Sequence, residues 1–371
     1  MDAGYQAIDY KGGKAAGITN NGSATSTIQF NGATDLGGGL KAEFKINSDI
    51  NPTTSQGNTG WGGTASTHTA TGNVKNSVAG TAASWLNSEQ RVGLAGGFGR
   101  IDMGVINNGS LAAAGTGTPF GTAVGSGFRS IYTTDSLSSA SASPVRHDNS
   151  VRFTTPSFNG ITGEYYYVKK NVNAATPAAT AALSGTSQTT FSTTFGAYDT
   201  TGISELTVKY NQGPLNIAYA AQTQDATGTG ATIASKGKLN TLGVNYTVGA
   251  LTGYLMNQTA KDDNTGADGK LDRTTNFVGV KYVMGAHSFM AQNGSAKLTS
   301  SNQAAAAAQV EGAKSTVTGL GYDYALGKTT SIYVRTESIN DKAGMVAPRT
   351  TIDVTAAGKI TRQAIGLRHS F

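Results

Sequence analysis

Apolar and polar residues alternate one by one along most of this chain. In "LKAEFKIN" (40–47), Leu40, Ala42, Phe44 and Ile46 share one parity, and Lys41, Glu43 and Lys45 share the other. The same pattern returns in Leu206, Val208 and Tyr210; in Leu242, Val244, Tyr246 and Val248; in Val278, Val280 and Tyr282; and in Leu320, Tyr322 and Tyr324. It runs to the last residue, where Ile365, Leu367 and Phe371 fall together. A period of two is the signature of β-strands with one apolar face. Short turns join the strands in pairs: "ATDLGGG" (33–39), "AGGFGR" (95–100), "TPSFNG" (155–160), "NQGPL" (211–215), "TVGAL" (247–251), "MGAH" (284–287) and "ALGKT" (325–329). Between the pairs lie long polar connections at about 11–23, 49–87, 107–147, 171–202, 225–238, 261–273, 299–314 and 340–358. Seven turns and eight loops predict sixteen antiparallel strands, with short connections at one end and long ones at the other. "NQAAAAAQVEGAK" (302–314) is the best helical stretch and reads as part of a surface loop, as do the low-complexity residues 174–185.

Composition decides what such a sheet encloses. Of 371 residues, 50 are glycine and 7 proline; charged residues make up 13% and hydrophobic ones 38%. That is too little apolar material for a solid core of matching size. No run approaches the ~18 apolar residues of a membrane-spanning helix. A lipid-facing chain of this kind must instead close into a barrel, because closure satisfies every backbone group in hydrocarbon. The length-long pattern predicts one domain over 1–371, a transmembrane β-barrel with the apolar parity facing lipid. Tyrosines near the predicted strand ends fit an interfacial girdle, and Phe371 fits the periplasmic one. No signal peptide opens the sequence at Met1, as expected of a mature chain or a cytosolic one.

The other parity carries the charge. Its bases are Lys41, Lys45, Arg91, Arg100, Arg152, Lys170, Lys209, Lys281, Arg335, Arg362 and Arg368, against the acids Asp2, Glu43, Asp102, Glu164, Asp323 and Glu337. Charges inside a barrel whose outside is apolar need water, and about sixteen strands enclose a channel. An excess of bases there favours anions. The net charge of +6 is spread singly, with no basic run or nucleic-acid module.

Seven stretches carry a family resemblance: "DAGY" (2–5), "NGATDLGGGLKAEF" (31–44), "VGLAGGFGRIDMG" (92–104), "HDNSVRFTTPSFNGI" (147–161), "LGVNYTVG" (242–249), "GYDYALGKTTSIYV" (321–334) and "IGLRHSF" (365–371). In this order they resemble the general porins of betaproteobacteria, trimeric sixteen-stranded diffusion channels of Burkholderia- and Neisseria-type outer membranes. The resemblance implies passage of small hydrophilic solutes and inorganic anions, and contact with outer-membrane lipid and lipopolysaccharide. It also implies a homotrimer, no cofactor and no catalytic residue. It further implies that the third loop, about 107–147, folds inward and narrows the pore. "PFG" at Pro119, Phe120 and Gly121 is similar to the family's Pro-x-Phe-Gly constriction motif without its middle residue. Arg129 is then the base nearest the narrow point, Asp135 its acidic neighbour, and Lys45, Arg91 and Arg152 the facing wall, with Arg335 a further pore charge. The second loop (49–87), with Trp61 and Trp85, is similar to the loop that latches onto a neighbouring subunit. Arginines that the family usually carries are replaced by Thr27 and Val105, and one expected near Ser88 is matched here by Arg91. Family members also begin several residues before "DAGY".

Other chemistry finds little support. His68, His147, His287 and His369 lack metal-ligand spacing, and the glycine-rich turns lack the Gly-Lys-Ser/Thr ending of a phosphate loop. "DDNTGADGKLD" (262–272) loosely matches a calcium loop through Asp262, Asn264 and Asp268, without the closing glutamate. The alternatives to general diffusion are a channel for one small anionic nutrient such as a dicarboxylate, an outer-membrane barrel enzyme, and a structural or adhesive barrel.

Overall fold

A computed structural model of the chain describes residues 1–10, 13–53, 87–128, 130–134, 145–169, 201–226, 235–262, 271–301, 312–342 and 358–371. The strands are β1 (Asp2–Tyr10), β2 (Gly13–Thr19), β3 (Thr27–Gly37), β4 (Leu40–Asp49), β5 (Gln90–Gly96) and β6 (Gly99–Asn107). They continue with β7 (Arg146–Thr154), β8 (Ile161–Val168), β9 (Thr201–Gln212), β10 (Leu215–Ala226), β11 (Ser235–Val248) and β12 (Leu251–Asp262). The last five are β13 (Leu271–Met284), β14 (His287–Ser301), β15 (Lys314–Ala325), β16 (Thr330–Asp341) and β17 (Gly358–His369). All belong to one 17-stranded sheet. From β3 onward each strand pairs antiparallel with the next. β1 lies between β17 and β2, with Asp2 opposite Arg368 and Gly4 opposite Thr19. The sheet thus curls until its last strand meets its first.

All seven short turns fall where the sequence places them. Gly213, Gly249 and Gly285 sit in three of them with φ of 60°, 57° and 59°, a left-handed backbone that glycine adopts without a Cβ clash. Among the described residues the count is seventeen where sixteen are expected, because 13–19 pairs with β1 as a hairpin arm. "GKAAGIT" carries no clean alternation, so it reads as a connection.

The face assignment is visible in exposure. On β12, Leu251 and Leu255 point outward, while Met256, Gln258 and Ala260 are buried on the inner parity. Phe371 is 85% exposed. The alanine-rich 302–311, residues 174–185, Trp61 and Trp85 lie outside the described residues.

The inner surface also holds α1 (Gly109–Thr116), which the alternation pattern does not announce. Asn108 caps it, its side chain accepting from Leu111 N at 3.0 Å, and three alanines in sequence supply helix propensity.

Candidate functional site: the inner wall and the third loop

The third loop leaves β6 at Asn107 and is bound along the inner face of the barrel from β9 to β17. Its first anchor is Glu205 of β9, whose side chain is fully buried. That carboxylate accepts from Gly109 N, from Ser110 N at 3.2 Å, from Ser110 Oγ at 2.5 Å and from Gln222 Nε2 at 2.9 Å. Two free amides at a helix start, facing one carboxylate, combine hydrogen bonding with the favourable end of the helix dipole. Glu205 and Gln222 stand directly opposite each other across β9 and β10.

The path continues strand by strand. Asn245 Nδ2 donates to Thr116 O at 2.9 Å, and Gln258 Nε2 donates to Thr133 O at 2.7 Å. Thr275 Oγ1 donates to Ile131 O at 3.0 Å, and Gln292 Nε2 donates to Gly125 O at 2.7 Å. On β16, Glu337 Oε2 accepts from Gly127 N at 2.7 Å and Gly125 N at 3.2 Å, while its Oε1 meets Arg362 Nη1 at 3.0 Å. Gly125 and Gly127 have φ of 107° and 71°, which turn both amides toward one carboxylate. The loop also carries its own apolar seam. Phe128, Ile131 and Tyr132 pack with Met256, Phe277, Leu298, Val317 and Ile339 of the wall. Tyr132 meets Phe277 edge-on at 5.4 Å. Burial pushes the Tyr132 phenol above its usual range, and the Glu337 charge acts in the same sense.

Pro119, Phe120 and Gly121 follow the helix. A Cβ on Gly279 would come within 2.8 Å of the Pro119 ring, so this wall glycine admits the loop. Phe120 is 5% exposed, and the Arg335 guanidinium sits 5.7 Å from its ring centroid. Arg335 is paired with Asp323 at 2.7 Å and its side chain is 4% exposed, so this base lies behind the loop. The Gly121 carbonyl accepts from Tyr132 Oη at 3.3 Å. A cavity of ≈ 250 Å³ separates 120–123 from 21–25.

Outside this arc, on β4 to β7, stands a cluster of charge. Lys45 Nζ meets Glu89 Oε2 at 2.6 Å. Arg91 Nη1, Arg100 Nε and Arg152 Nη2 converge on the Asp102 carboxylate at 2.5, 2.9 and 3.1 Å. Glu89 Oε1 lies 3.8 Å from Arg91 and 3.9 Å from Arg152. The structure thus brings Lys45, Arg91 and Arg152 together and adds Arg100, Glu89 and Asp102. Four bases face two acids; the neighbouring Lys41 and Glu43 on the same parity of β4 cancel each other.

Arg129 and Asp135 lie outside the described residues, as do Asn264 and Asp268 of the calcium candidate; of Asp262 only its place in β12 is described. Among the described residues no group of acids and histidines has the geometry of a metal site. Glu205 and the glutamines at 222, 258 and 292 were not singled out by sequence, and Glu337 was read there only as an inward acid. Their inward parity was readable, but not their contact with the loop.

Comparison with known proteins agrees with this fold. A sequence model described as Gram-negative porin matches residues 1–344. The major outer membrane protein P.IB of Neisseria gonorrhoeae is 27% identical over 171 residues, which are 45% of this chain and 40% of that protein. The match therefore spans two fifths of that relative's length. An anion-selective porin from Comamonas acidovorans superposes with a TM-score of 0.71 at 20% identity, covering 100% of this chain and 97% of the other. The trimer form of OmpT from Vibrio cholerae superposes with a TM-score of 0.60 at 12% identity, covering 99% and 97%. These likenesses concern the fold.

Proposed function

The chain belongs to the Gram-negative porin family, and from that premise we propose that it is a general diffusion channel of the outer membrane with a mild preference for anions. The observation that carries the preference is the cluster on β4 to β7, where Lys45, Arg91, Arg100 and Arg152 outnumber Glu89 and Asp102. No bond is made or broken. Small hydrophilic solutes pass down their gradients, sieved by the space that the third loop leaves. Charged solutes are sorted by the potential of that wall, which raises the local anion concentration and lowers that of cations. The fixed guanidiniums act as guides whose reorientation cost is already met by folding.

Pro119, Phe120 and Gly121 shape the rim of the loop in this reading, with Arg129 and Asp135 as its charged pair, and Arg335 holds Phe120 in place from behind. The outer membrane supplies lipid and lipopolysaccharide around the apolar face, and three copies assemble, in keeping with the trimer form of the OmpT relative. The Comamonas relative is an anion-selective porin by its description, which supports the same sign here.

The test is a planar-bilayer recording under a tenfold KCl gradient. A stepwise conductance with a reversal potential toward chloride is expected. A potential toward potassium would overturn the anion preference, and absence of conductance from folded protein would overturn the channel.

A further inference from the structure

Asp102 has a place in the charge cluster unlike that of any base around it. Its side chain is wholly buried, yet three guanidiniums reach it: Arg91 at Oδ1, and Arg100 and Arg152 at Oδ2, at 2.5, 2.9 and 3.1 Å. The three arginines come from three different strands, β5, β6 and β7. Register explains how they meet. Asp102 stands directly opposite Gly93 on one side and Arg152 on the other, and Arg91 is two residues from Gly93 on the same inward parity. Gly93 leaves the space that the fan needs, since a Cβ there would lie 2.5 Å from Asp102 Oδ1. Glu89 is more loosely placed: it holds Lys45 at 2.6 Å but stands 3.8 and 3.9 Å from Arg91 and Arg152.

We propose that Asp102 is the specificity-setting residue of the anion path: it gathers Arg91, Arg100 and Arg152 into one fan and subtracts one charge from them, so that the channel prefers anions less than its bases alone would dictate. The inference rests on the channel reading above and concerns a residue that touches no solute. Three guanidiniums held this close together are moderated by the counter-charge set between them. A buried carboxylate surrounded by three donors is also held in one position, which fixes the arginines with it. The wall therefore presents a set geometry with a tempered field.

Asp102→Asn tests this. The amide keeps the shape and one acceptor oxygen while removing the charge. In ~0.1 M KCl, where the screening length is about 10 Å, the chloride-to-potassium permeability ratio should rise about threefold over the parent protein. In ~1 M KCl, where that length is about 3 Å, the rise should shrink toward nothing and the unitary conductance should match the parent. A residue that only supports structure would behave oppositely: its loss would change the high-salt conductance, which reports pore width. A ratio that is unchanged or lowered in dilute salt, or a conductance altered at high salt, would overturn the proposal. Should Asp102→Asn fail to assemble, Glu89→Gln decides: a smaller rise in the ratio supports the proposal, and no rise overturns it. Potassium preference in the parent protein would refute the channel's sign while leaving the difference between parent and variant readable.

Discussion

Removing the Glu205 carboxylate should loosen the start of the third loop, and the structure allows the size of that effect to be worked out. Glu205→Ala leaves Gly109 N, Ser110 N, the Ser110 hydroxyl and the Gln222 amide without their common acceptor, in a place with no exposed surface to admit water freely. Hydrogen bonds to a charged partner contribute ~1.5–3 kcal/mol each, but four sharing one buried carboxylate are not additive, because the carboxylate's own desolvation offsets part of the gain. Taking a net loss of about 3 kcal/mol, the equilibrium between bound and released helix shifts by about 150-fold. If the attachment is worth about 5 kcal/mol in the parent, the released fraction rises from roughly two in ten thousand to about 3%. The rest of the barrel should be untouched, since the sheet ladders on either side keep their register.

Single-channel recording in strong salt reads this directly. The parent should hold a steady level, and Glu205→Ala should show excursions to higher conductance occupying a few per cent of the time. Glu205→Gln retains one acceptor oxygen and should fall between the two. Protease cleavage within 108–134 should follow the same order. A Glu205→Ala trace that cannot be distinguished from the parent, with unchanged resistance to cleavage, would refute the view that this carboxylate holds the helix. A uniformly lower conductance would refute it too, because it would mean that the freed loop falls further into the pore.

Three further outcomes follow from the same wall. Replacing Arg91 and Arg152 together by alanine removes two bases from a cluster of four against two, so the reversal potential in a KCl gradient should move to near zero; an unshifted potential would place the selective field elsewhere. Gly319→Ala would set a Cβ 2.1 Å from Gly125 O, so the barrel should lose ~1–3 kcal/mol of stability on heating, whereas Gly253→Ala meets nothing within 4 Å and should be neutral. Phe120→Ala removes a ring that is almost wholly buried against Arg335, at a cost of ~3–5 kcal/mol to the loop's packing, and should raise conductance by exposing the guanidinium to the pore.

The barrel was legible because its rule is local. Whether a residue faces lipid depends on the parity of its own strand, so Phe44, Leu206, Val248 and Leu320 could be assigned from neighbours two positions away. The turns were legible for a similar reason, since glycine between two alternating runs marks a tight hairpin. The hairpin arm β2 was missed because pairing does not require alternation when a strand has no apolar face to bury; Ala15, Ala16 and Gly17 contribute backbone and little else. Helix α1 was missed because eight residues give barely two turns, too few for a period to emerge.

The loop's anchors were hidden for a deeper reason. On the inner parity, Gln222, Gln258 and Gln292 are indistinguishable by pattern from side chains that simply meet water in the channel. What separates them is their partners, Thr134, Thr133 and Gly125, which are 88, 125 and 167 residues away along the chain. No spacing rule within one strand encodes such a pairing. The two carboxylates have the same history: Glu205 and Glu337 look like ordinary lumen acids until the loop amides arrive, and then both become acceptors buried from water. Their charges are thereby largely withdrawn from the pore. The formal count of inward acids therefore overstates the negative field that a solute meets, and the count of inward bases overstates the positive one through Arg335 and Arg362, which are likewise buried behind the loop. In the proposed channel the field along the path falls mainly to β4–β7, where Lys45 and Arg100 keep 20% and 30% of their side chains exposed. On that proposal, ion preference is decided less by how many charges point inward than by which arc of the wall the third loop leaves bare.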